Sequence, residues 1–163
     1  MSYIMRYFIT DPKPVSVIIV EKALKSKNPD YRFMNLKTEP CEFGDLAYKT
    51  MPIGRLEIHH PPDILFINSI KDFTKKVEET NPATIEKING VPGPQTDRNS
   101  VLSKLGNVKS IIVLRVLFKD EDPEITLKRI DSLWEWCFIT YDGLLQADGE
   151  GFYSNQGLIL RMK

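Results

Sequence analysis

Apolar and polar positions recur along this chain with two different periods, and each change of period marks an element. The eight positions Ile111–Phe118 are apolar or β-branched except for Arg115. Such a run predicts a central strand. Tyr3–Thr10 has the same character, and the two stretches align without a gap: Arg6 with Arg115, Asp11 with Asp120, Pro14 with Pro123. In both, a D-x-x-P stops the strand and sets Pro for the first turn of a helix. After Pro123, Ile130, Leu133, Trp134 and Cys137/Phe138 fall at helical spacing, with Lys128, Arg129, Asp131 and Glu135 on the wet side. Over Val15–Lys27 the apolar positions Val17, Val20 and Ala23/Leu24 fit the same period. The β-branched run Val17–Val20 fits a strand as well, and the match to the segment after Pro123 favours the helix.

Between these landmarks, Tyr31–Glu42 is weakly extended. Asp45–Thr50 and Arg55–His60 read as hairpin arms joined through Met51-Pro52-Ile53-Gly54. Ile64–Ile67 fits either a short buried strand or the first turn of a helix capped by Asp63. In both readings Phe66, Ile70, Phe73 and Val77 form an apolar stripe. Asn81–Asn107 is a long connection whose Gly90–Asn99 portion has loop composition, with Val101, Leu102 and Leu105 anchoring a helical turn behind it. Tyr141–Ala147 and Gly157–Met162 read as the arms of a last hairpin, with Asp148-Gly149-Glu150-Gly151 at its tip.

This order predicts an α+β fold: an antiparallel sheet with helices on one face, in a single domain 1–163. Two β-α-β-β half-repeats, 1–80 and 108–163, would be joined by the Pro/Gly-rich loop 81–107. An enlarged ferredoxin-like fold is the alternative architecture.

Composition narrows the partners. The 22 Lys+Arg balance the 22 Asp+Glu, so no net field draws the chain to nucleic acid or to an anionic membrane. No apolar run approaches the roughly 18–20 residues of a membrane span, and the N-terminal stretch lacks the pattern of a secretory signal. Cys41 and Cys137 stand far apart without C-x-x-C partners, which reads as free thiols in a reducing cytoplasm.

The chemistry-bearing residues are few. No nucleophile elbow, Walker loop or dinucleotide fingerprint occurs, and no cofactor is expected. Arg6 and Arg115 lie inside strands, where a guanidinium must reach water, a carboxylate or a ligand. Two of them near a pseudo-twofold axis would grip an anion bidentately. The competing reading leaves both on the solvent-facing side or pairs them with Glu57, Asp142 or Glu150. Asp148 and Glu150 offer carboxylates for a cation or for acid–base work, though D-G by itself predicts a tight turn and Ile159 stands where a calcium loop needs Glu. Glu57 and His59 share a strand face and could begin a metal site or a held base, with no third ligand in view. Arg98, with its polar neighbours in Gly90–Asn99, offers a lid over a cleft, or else the loop is a tolerated insertion between the halves.

The expectation is therefore a non-catalytic domain that binds a small anionic molecule or a protein, through Arg6, Arg115, Arg98 and Glu150. An open sheet face would also serve a homodimer. A metal-assisted hydrolase using Glu57, His59, Asp148 and Glu150, and an inhibitor or immunity-type interaction protein, are the alternatives.

Overall fold

The computed structural model describes residues 3–38, 42–76, 98–118, 122–155 and 157–161. Cys41, Val77 and nearly all of the loop Gly90–Asn99 lie outside them. The described residues form strands β1 (Tyr3–Ile9), β2 (Tyr31–Lys37), β3 (Glu42–Tyr48), β4 (Met51–His59), β5 (Ser110–Val116), β6 (Gly143–Ala147), β7 (Gly151–Ser154) and β8 (Gly157–Arg161), with helices α1 (Val17–Lys27), α2 (Ile64–Lys75), α3 (Arg98–Leu105) and α4 (Pro123–Thr140). The strands join into one antiparallel sheet in the order β2-β3-β4-β5-β1-β6-β7-β8. The fold is α+β.

The helices start where short polar side chains satisfy their first free N–H groups. Ser16 Oγ accepts from Ile19 N at 3.1 Å, Asp63 from Leu65 N at 2.9 Å, and Asp122 from Glu124 N at 3.0 Å. The Asp63 cap settles Ile64–Ile67 as the first turn of α2. Its buried positions are Ile67 and Thr74, while Phe73 is half exposed. The expected stripe is thus turned by about one residue.

The layering corrects the expectation of helices on one face. Successive strand residues point to opposite sides, and each side of this sheet has its own core. Met5, Tyr7 and Ile9 of β1 pack with α1 and α4 through Val20, Leu24, Leu133 and Cys137. Phe8, between them, packs with Ile111 and Leu144 against Ile67, Val101 and Leu105 of α2 and α3. The α1/α4 side is the first face below and the α2/α3 side the second. The physical reason lies in β5: Ile111 and Ile112 are both fully buried, and a strand apolar on both sides needs cover on both.

Two hairpins also differ from expectation. Met51–Gly54 is not a turn but the start of β4. The reversal is made at Lys49-Thr50, where Lys49 has φ 58°. Pro52 is tolerated because the register shifts there, Leu46 facing Gly54 and Ala47 facing Pro52, and because β5 pairs with β4 only from Gly54 onward. The last segment is a three-stranded meander instead of one hairpin. β7 pairs with β6 and β8 pairs with β7.

The two aligned segments do meet. β1 pairs with β5, with Arg6 opposite Val113 and Arg115 opposite Ile4. Their flanks are arranged differently. β1 has beside it β6, the strand that follows α4, whereas β5 has beside it β4 and not β2, the strand that follows α1.

Candidate functional site

A concavity built by described residues lies on the first face. Helix α4 crosses the sheet beside β1, β6 and β7, and the space between helix and strands is a cleft of about 750 Å³. Met5, Leu145 and Tyr153 form its floor, and Leu127, Trp134 and Phe138 its helical wall. Pattern puts them there. Met5 shares the inward parity of β1, and Leu127, Trp134 and Phe138 recur along one flank of α4. The Trp134 indole N–H donates to Met5 Sδ at 3.3 Å, so its polar handle is used inside and its ring remains an apolar surface. Ile139, 83% exposed, stands at the lip.

Charge at the cleft has one sign. Asp131 and Glu135, one turn apart on α4, line the helix side, and Glu150 lines the strand side. Among the described lining residues there is no Lys or Arg. Glu135 is met at 3.8 Å by Lys27 from α1. Burial, and then the neighbouring Glu135 charge, push the Asp131 carboxyl up from its ordinary value. The Tyr3 hydroxyl donates to Glu150 across the cleft end. Burial raises that phenol well above its ordinary range, with the Glu150 hydrogen bond and charge adding to it.

The other residues singled out from sequence scatter. Arg6 is on the second face, where its guanidinium donates to Gln146 Oε1 at 2.7 Å and Asp148 Oδ1 at 2.9 Å and lies 5.2 Å from the Phe66 ring. It is spent on its own fold. Arg115 is exposed on the same face, and among the described residues it has no ion pair or hydrogen bond. Asp148 and Glu150 occupy the β6–β7 turn but separate, the first turning to Arg6 and the second to Tyr3. Gly149 supplies the turn's φ of 76°. His59 Nε2 lies 3.3 Å from Glu57 Oε2 on β4, three strand spacings from β6 and so at least about 14 Å from Asp148 at its end. His60 turns the other way, to Ser110 Oγ at 2.8 Å. Among the described residues no three His, Cys, Asp or Glu side chains group to hold a metal. Arg98 begins α3.

Cys137 is fully buried in the first-face core, and burial pushes its thiol far above the usual range, which makes it an inert packing group. No described helix is long and apolar enough to cross a membrane. Among the described residues the cleft combines aromatic walls with an acidic rim. The cleft residues Asp131, Glu135, Tyr3 and Tyr153 were not singled out from sequence. One signal was available in the two acids spaced i and i+4 beside the apolar stripe of α4. Comparison with protein-family models, curated proteins and solved structures finds no match for this chain.

Proposed function

We propose that this chain is a non-catalytic binding protein whose ligand sits in the cleft between α4 and β1, β6 and β7. The observation that carries the reading is the cleft itself, about 750 Å³ with an apolar, aromatic lining and three carboxylates at its edge. That volume lies within the range of small-molecule sites. A flat apolar body would cover Trp134, Phe138 and Tyr153, and a cationic or hydrogen-bond-donating end would face Glu150 and Asp131. The acidic rim favours a cation over the anion suggested by the strand arginines, one of which is consumed by Asp148.

Titration with benzyltrimethylammonium and with benzoate, followed by tryptophan fluorescence and thermal unfolding, tests this. The cation is expected to raise the melting temperature and change the Trp134 emission, and benzoate to do neither. Glu150→Gln and Asp131→Asn should each weaken the response, and Leu127→Trp, which fills the cleft, should abolish it. A response to benzoate alone, or one unchanged by Leu127→Trp, would remove the cleft as the site.

A further inference from the structure

The second face carries an arrangement that folding alone does not explain. Arg55 of β4 and Arg115 of β5 are direct cross-strand partners. Side chains so placed have Cβ atoms about 4.5–5.5 Å apart, and like charges in that relation destabilise a sheet. The α2/α3 layer does not cover them. It packs over Phe8, Ile111, Leu144 and Phe152 and reaches the sheet's middle at Phe66, over Arg6.

Neither guanidinium is satisfied among the described residues. Arg55 Nε is anchored to Asp45 Oδ1 at 3.2 Å, and its Cζ lies 5.3 Å from the Phe43 ring. Its two Nη groups make no hydrogen bond among the described residues. Arg115 has no partner among them. Lys37 Nζ lies 5.6 Å from the same Phe43 ring. A single fork suffices for the two oxygens of a carboxylate. Two adjacent forks match the double charge and three terminal oxygens of a phosphate group.

We propose that Arg55 and Arg115 form an oxyanion clamp on the second sheet face that binds the phosphate group of a small phosphorylated molecule. Arg55 is preset by Asp45 and Phe43, and Arg115 closes from the neighbouring strand. The clamp and the cleft lie on opposite sides of the sheet, so each stands or falls alone.

Isothermal titration of the intact chain with inorganic phosphate, phenyl phosphate and acetate, at ionic strength fixed with chloride, tests the clamp. Both phosphates are expected to bind and acetate not. Arg55→Ala and Arg115→Ala should each weaken phosphate by about tenfold to a hundredfold, Arg115→Lys should weaken it less, and Leu127→Trp should leave it unchanged. Because Arg115 is exposed and has no side-chain partner among the described residues, its variants should fold, which far-ultraviolet circular dichroism checks. Phosphate binding of equal strength in wild type and Arg115→Ala, or no phosphate binding by the wild type, would overturn the proposal.

Discussion

The two faces of the sheet use the same strands in different ways. On the first face, α1 and α4 press an apolar layer against Met5, Tyr7, Leu114 and Leu145, and charge is confined to the rim of the cleft. On the second, α2 and α3 cover only part of the sheet, and Arg6, Arg55 and Arg115 occupy strand positions that would otherwise be core. The contrast shows that a charged residue inside a strand carries no fixed meaning. Arg6 and Arg115 align in sequence and sit on paired strands. One is 16% exposed and closed against Asp148 and Gln146, and the other is in water. What separates them is position relative to the α2 layer and to the β6–β7 turn.

The largest effect is expected from loosening the strand both cores share. β6 gives Leu144 to the second face and Leu145 to the first. It lies so close to β1 that a Cβ on Gly143 would meet the Phe8 carbonyl oxygen at 2.0 Å and Tyr7 Cε1 at 2.9 Å. Neither backbone can yield without breaking the ladder. Gly143→Ala is therefore expected to cost more than about 3 kcal/mol in urea denaturation. A cost under about 1 kcal/mol would show that β6 can move off β1 without harm to either core.

Next in size is a pH effect that belongs to the first face. Tyr7 donates to the Tyr141 carbonyl at 2.9 Å inside that core, and Tyr141 donates to the Pro14 carbonyl at 2.7 Å. Burial above all pushes the Tyr141 phenol from 10.0 up to about 12, and Tyr7 further still. In the unfolded chain these phenols ionise first, so the folded state binds more protons between the two values. Stability should hold up to about pH 10 and fall as pH rises from there to about pH 12. Urea midpoints across that window test it, and Tyr141→Phe should flatten part of the fall. A midpoint that is constant through the window would contradict the burial of these hydroxyls.

The smallest effects compare the two arginines. Arg6→Met leaves Gln146, 6% exposed, without its guanidinium donor and Asp148 without its ion pair. It should cost about 1–2 kcal/mol. Arg115→Met should change stability by less than about 0.5 kcal/mol in either direction. Equal costs for the two substitutions would show that Arg6 and Arg115 are held alike.

Much of the architecture was legible along the chain. Hydrophobic runs marked β1 and β5, Pro123 marked the start of α4 while α1 begins at Val17, past Pro14 instead of at it, and the 3.6-residue period of α4 picked out Ile130, Leu133, Trp134 and Cys137, all buried. The site was less legible. Glu150 lines the cleft, but as the partner of Tyr3, 147 positions away. The period of α4 identified its apolar stripe without showing which flank would meet α1 and which would stay open as a cleft wall.

What this sequence determines by itself is local: the alternation of strand residues, the helix caps at Ser16, Asp63 and Asp122, and the turn at Gly149. Each depends on groups only a few residues apart. Tertiary structure alone decided that helices cover both faces, that 157–161 pairs with β7, that Asp148 closes on Arg6 while Glu150 closes on Tyr3, and that Arg115 faces Arg55. Those outcomes follow from strand order, and strand order is settled by how whole apolar faces find cover, a sum over distant contacts that no local window contains.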